Sequence, residues 1–340
     1  MSREPYPFYQ GDDNEIHASV YKTGATFASA HIRVGVWALP IAANSGRVTG
    51  ALQPIDSAGP DLMPSISNDG QTLVFLRQNQ GQMNAYRWNG SGTQPIVSSL
   101  DCNRLKISGD GRYIFFRVME GSPREIQQQA IYRASIDSGK AERVCQNCGG
   151  PTHSSFDGKF VLFETGSATT RIAVLRVGRE ERWDLLRHSH HPVGSARFSP
   201  DGRWVAFEID QGLDGRQILV APFREDGLSE EWVPITPEHA FAAEPWWSPD
   251  GSRLYYLDRR DGFQCIWTRK WNSRTRMPEG EAELVQHFHQ ARIGPLLSVN
   301  RAPRYIGLSV ASDRLVLALS DITSEIRFSE FSPIPVELHR

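Results

Sequence analysis

The chain has 340 residues, 39% hydrophobic and 22% charged, a balance that fits a folded globular protein and excludes a disordered one. Lysine plus arginine number 37 against 39 acidic residues, a net charge of −2, which gives no electrostatic ground for a nucleic acid or an anionic membrane surface as partner. No apolar run approaches the roughly eighteen residues of a membrane span, so no direct membrane insertion is expected, and four cysteines are no disulfide framework.

The first residues, MSREPYPFYQGDDNE, contain no apolar h-region. No secretory signal is expected, and the cytoplasm is the expected compartment. Residues 1–31 read as an N-terminal extension, partly irregular. Residues 32–56 read as a hairpin that turns at Asn44-Ser45-Gly46.

From there one phrase recurs. It appears as SISNDGQTLVF at Asp69, ISGDGRYIFF at Asp110, SSFDGKFVLF at Asp157, FSPDGRWVAF at Asp201 and WSPDGSRLYY at Asp250. A decayed sixth copy, LSVASDRLVLAL, holds Asp313 but has Arg314 in place of the glycine. Four residues after each Asp stand Leu73, Ile114, Val161, Val205, Leu254 and Leu317; six after it stand Phe75, Phe116, Phe163, Phe207, Tyr256 and Leu319. Apolar positions two apart belong to a strand with one buried face. Asp-Gly supplies the turn before it, because glycine accepts positive φ and the carboxylate accepts backbone N–H groups.

A second hairpin follows each first one, its turns marked by Asn89-Gly90, Ser138-Gly139, Gly178 and Asp226-Gly227. Four short antiparallel strands per unit of 40–50 residues predict an all-β fold, a β-propeller whose blades run from an inner strand A to an outer strand D. Six blades are expected in a single domain over 32–330. Residues 32–56 would complete the last blade begun by 304–330, with 331–340 as a tail. SEIRFSEF at 324–331 also reads as a strand C, and that leaves a seventh blade from residues 8–30 as the alternative.

The S-P-D-G-[KR] hairpins resemble the WD40-like PD40 repeat of TolB, of the tricorn protease propellers and of the dipeptidyl-peptidase propeller. The stretches VCQNCGGPTHSSFDGKFVLF, HPVGSARFSPDGRWVAFE and EPWWSPDGSRLYYLDRRDGFQCIW are similar to the C-terminal propellers of some bacterial serine/threonine kinases. That resemblance implies a sensory or docking module. The kinase loops and a Gly-x-Ser-x-Gly elbow are missing from this sequence, so neither kinase nor peptidase chemistry carries over.

Chemistry-bearing side chains gather in the links from strand D of one blade to strand A of the next. Cys145-x-x-Cys148 has a metal or redox spacing. His188 and His190, with His191, and the pair His287 and His289 could hold zinc or another divalent ion. On the inner strands and their approaches, Arg104, Lys106, His153, Arg197 and Glu244 would form a polar channel rim that selects a ligand. No catalytic residue and no required cofactor is assigned. The expected function is a non-catalytic scaffold or sensor that binds a protein or peptide, with a subunit of a larger complex in view. The alternative is a metal-assisted lyase or hydrolase using the loop histidines.

Overall fold

Each Asp-Gly turn is built by a serine that the repeat places two residues before the aspartate. In the fourth copy, the Ser199 hydroxyl donates to Asp201 Oδ1 at 2.5 Å and accepts the Trp204 amide at 2.9 Å. Asp201 Oδ1 also accepts the Arg203 amide at 3.1 Å, and Gly202 takes the positive φ of 70° that closes the bend. Ser67, Ser108, Ser155 and Ser248 do the same for Asp69, Asp110, Asp157 and Asp250. Burial raises the carboxyls of Asp110, Asp157 and Asp201, but these donors and the neighbouring basic side chain outweigh it. All three sit below the usual carboxylate range.

The sixth copy departs from this design. Ala311 stands where the serine should be, and its amide donates to the Arg314 carbonyl. Val310 pairs with Leu315, whereas Phe198 of the fourth copy pairs with Val205. The turn is two residues shorter. A change of two keeps the strand's faces in phase, which is why the apolar columns survive in the sequence.

The computed structural model describes residues 14–21, 24–55, 60–121, 128–166, 170–179, 181–289, 292–295 and 306–330. Five four-stranded antiparallel sheets, at 61–97, 103–146, 151–186, 193–234 and 243–286, form blades 1 to 5. Their inner strands A are Asp61–Ile66, Asn103–Ile107, Pro151–Ser154, Val193–Phe198 and Ala243–Trp247. These touch one another in sequence, and Ser309–Val310 of the sixth blade closes the circle between the fifth and the first. The fold is a six-bladed β-propeller.

Burial falls from the centre outwards. In blade 5, strand A and strand B (Arg253–Asp258) are buried throughout, while strand D (Met277–Gln286) is mostly exposed. The cores lie between blades: Trp204, Val220, Trp247 and Tyr256 pack blade 4 on blade 5, and Leu39, Ile41, Trp246 and Tyr255 pack blade 5 on blade 6. Trp246 and Trp247 are inter-blade filler.

Blade 6 joins the two chain regions. Arg314–Glu330 is its strand B and pairs antiparallel with Gly24–Ala42, its strand C, from Pro40↔Arg314 to Gly24↔Glu330. Arg47–Val48 and Gln53–Pro54 complete the outer edge after the turn at 43–46. This closure splices the two chain regions into one blade. SEIRFSEF is therefore no strand C but the continuation of strand B, and the described residues hold no seventh blade. The pairing also begins at Gly24, ahead of the expected boundary at 32, and Asn14–Tyr21 adds a further antiparallel strand to it. Residues 1–13 of the expected extension and the tail at 331–340 lie outside the described residues.

Candidate functional site

The inner strands bend at the same place in successive blades. Six residues before the repeat aspartate, Met63, Arg104, Ser195, Glu244 and Gly307 take φ of 53°, 56°, 50°, 54° and 62°. A register shift marks that bulge on all five of the four-stranded sheets. Bulges re-aim side chains, and left-handed non-glycine residues store about 1–3 kcal/mol each that the surrounding packing must hold.

Below the bulge, the residue four before the aspartate bonds around the ring. Ser309 Oγ accepts the Ile66 amide of blade 1 at 3.0 Å, and Ser65 Oγ accepts the Ile107 amide of blade 2 at 3.2 Å. His153 Nδ1 accepts the Phe198 amide of blade 4 at 3.2 Å. That nitrogen carries no proton. Burial, with Arg197 and Lys106 nearby, holds the imidazole well below its usual value. His153 is a staple between blades.

Charges fill the channel between these staples. Arg104 meets Glu164 at 3.1 Å, and Arg197 meets Glu244 at 3.1 Å. Arg197 also donates to the Thr152 carbonyl at 2.6 Å and lies 5.0 Å over the Trp246 ring. Glu208 Oε2 accepts the Glu244 amide at 3.1 Å. Burial pushes the Glu208 carboxyl up to about 7 against the pull of Arg216. Burial, reinforced by Arg197, brings the Lys106 ammonium down to about 7. All five residues expected at the rim, Arg104, Lys106, His153, Arg197 and Glu244, thus belong to one network. Glu164 and Glu208 complete it. Both stand seven residues after a repeat aspartate, directly behind the buried Phe163 and Phe207, and that column was the available signal.

The D-to-A links and the turns between strands B and C share one face, because successive strands alternate direction. The candidate metal residues lie there but do not form one group. Cys145 and Cys148 are joined to each other as a disulfide, and Cys102 is buried and free. His188 Nδ1 accepts the amides of His190 and His191 at 3.2 and 3.0 Å, a loop that caps itself. His287 and His289 are different: with Asp261 and Cys265 they place four ligand-type atoms within 4.8 Å of one another. The sequence does not mark Asp261 and Cys265 as partners of these histidines, because a turn residue and a strand residue meet a link only through the blade's topology.

On the same face, Leu213, Phe241 and Phe263 are exposed at 79%, 46% and 46%. They belong to the B-to-C turn of blade 4, the link from blade 4 to blade 5, and the B-to-C turn of blade 5. A pocket of about 410 Å³ opens beside them, walled by Pro237, His239, Phe241 and the Asp258–Arg260 pair.

The molecule is thus a six-bladed propeller with two ion pairs among its inner strands and a loop-rich face. Among solved structures it is similar to a putative TolB from Agrobacterium tumefaciens, with TM-score 0.59 and 18% identity over 89% of this chain and 100% of that one. It is similar also to TolB from Acinetobacter baumannii, with TM-score 0.53 and 14% identity over 87% of this chain and 66% of the other. An oligogalacturonate lyase in complex with manganese matches at TM-score 0.54 and 10% identity, over 92% of this chain and 99% of that one. No family model and no curated protein sequence matches the chain. At such identities the likeness carries the fold, which is that of the TolB-type propellers.

Proposed function

We propose that the chain is a non-catalytic binding propeller that docks a protein or peptide on its loop-bearing face over blades 4 and 5. The observation that carries this reading is the placement of the exposed Leu213, Phe241 and Phe263 on three loops of one face, with Phe241 forming a wall of the Asp258–Arg260 pocket. Exposed large apolar side chains on the same face as a concave pocket are the usual anatomy of a contact surface. The channel supports the same reading, since its two arginines, Arg104 and Arg197, are paired with Glu164 and Glu244.

The double variant Leu213→Asp/Phe241→Ser tests it. A partner recovered with the wild-type chain from native lysate is expected to be lost with this variant, at unchanged melting temperature. It is expected to be kept by Phe156→Ser, which alters an exposed residue on the opposite face. Equal recovery with both variants would reject the surface.

A second reading, an enzyme, has one observation in its favour: Lys106 and Glu208, an amine and a carboxyl both held near 7 inside the channel. Proton-transfer chemistry could use such a pair. The lyase resemblance is of fold alone. The ligand-type cluster at His287 and His289 lies on outer parts of blade 5, away from the inner strands that carry Lys106.

A further inference from the structure

Two loops of blade 5 bring four side chains together. Asp261 lies in the turn between strands B and C, Cys265 is the first residue of strand C (Cys265–Asn272), and His287 and His289 follow strand D. Asp261 Oδ2 is 2.9 Å from His289 Nε2 and 3.4 Å from His287 Nδ1. The two imidazole nitrogens are 3.0 Å apart, and Cys265 Sγ is 3.7 Å from His287 Nδ1. Ligand atoms held at zinc's bond lengths on a tetrahedron stand roughly 3.3–3.8 Å from one another. These four separations lie within about half an ångström of that range, and all four atoms lie within 4.8 Å of one another.

Their surroundings aim them at its centre. Asp261 Oδ1 accepts the Phe263 amide at 3.2 Å, which turns Oδ2 towards the imidazoles. The Phe288 amide donates to Cys265 Sγ at 3.4 Å, a bond that steadies a thiolate. The Phe263 ring lies 4.4 Å from that of His289 and fixes its tilt.

We propose that Asp261, Cys265, His287 and His289 are the four ligands of a zinc-class divalent ion that clamps the B-to-C turn of blade 5 to the link entering blade 6. Thiolate with two imidazoles selects zinc over magnesium, calcium or manganese. Four protein ligands leave no open position, so the site is structural, not catalytic. On binding, the Cys265 thiol gives its proton to solvent and the sulfur binds as thiolate. The site is independent of the docking reading: either can fail while the other stands.

Chelator-treated protein is titrated with zinc against a chromophoric competitor, and separately with cobalt(II). One equivalent is expected to bind, with an affinity about 100-fold or more above that of Asp261→Asn and His289→Ala. The cobalt form is expected to show a thiolate-to-metal charge-transfer band that Cys265→Ser abolishes. Zinc is expected to raise the melting temperature of the wild type but not of His289→Ala. Cys265 is buried, and its variant could fail to fold. The exposed positions Asp261 and His289 then decide, with strand content checked by circular dichroism. Folded Asp261→Asn and His289→Ala proteins that bind zinc as the wild type does, or a wild type that binds none, would overturn the site.

Discussion

Arg197 on the inner strand of blade 4 and Glu244 on that of blade 5 meet at 3.1 Å with side chains only 2% and 6% exposed. An ion pair this deep is costly to assemble, and removing one partner leaves the other charged and unpaired. Glu244→Gln is expected to cost about 3 kcal/mol, and Arg197→Met a similar amount. The double variant is expected to recover more than half of the summed loss. Denaturant unfolding of the four proteins in a cycle gives the coupling. Additive losses would mean that the pair does not act as a unit.

Gly202 offers a cleaner test of the repeat. A Cβ built there meets no atom within 4 Å, so any penalty comes from its φ of 70° alone. Gly202→Val is expected to lose about 1–2 kcal/mol, and Gly202→Asn less than half of that. Ser199→Ala removes the hydroxyl that bridges Asp201 and Trp204 and is expected to cost about 1–2 kcal/mol. Thermal melts check the ranking. An indifferent Ser199→Ala would deny the serine its role in the turn.

The turn carboxylates add a pH arm. The carboxyls of Asp110, Asp157 and Asp201 lie lower in the folded chain than their unfolded value. Their contribution is fully present above the ordinary carboxylate range and is lost as pH falls through the lowered folded values. Asp201→Asn is expected to destabilise the chain near neutral pH and to cost much less at about pH 3. Melts at the two pH values decide it. An equal cost at both would show that the charge is not what matters.

What was legible in the sequence was local. Asp201-Gly202 and Val205 with Phe207 announce a hairpin because turn chemistry and a two-residue period act over ten residues. Ring closure was harder, since Gly24–Ala42 finds Arg314–Glu330 across nearly the whole chain and no local period records that pairing. The rim residues Arg104, Lys106, His153, Arg197 and Glu244 could be placed from their distance to the repeat aspartate. Their roles could not: Ser65 and His153 look like channel polars in sequence and prove to be bonds to the next blade. Cys265 is the first residue of strand C and sits at the face where His287 emerges, a meeting that no local pattern records.

Glu208 gives the sharpest pH prediction. It is 9% exposed, and burial is the main cause that pushes its carboxyl up to about 7. A carboxyl raised by folding keeps its proton in the native state after the unfolded chain has released it. Stability therefore falls as pH rises from the ordinary carboxylate value to about 7 and then levels. Lys106, lowered to about 7, acts in the opposite sense and only above that pH. His153, held well below its usual value, adds stability as pH rises towards the ordinary imidazole value, and both it and Lys106 remain in a Glu208→Gln variant. The carboxamide oxygen of that variant would still accept the Glu244 amide but brings no charge to bury. The stability difference in favour of Glu208→Gln is thus expected to grow between about pH 4.5 and pH 7, by up to roughly 3 kcal/mol, and to stay constant beyond. Denaturant unfolding of both proteins at half-unit pH steps measures it. A difference that is constant across this range would place the Glu208 carboxylate in contact with water or with a cation that fully balances it.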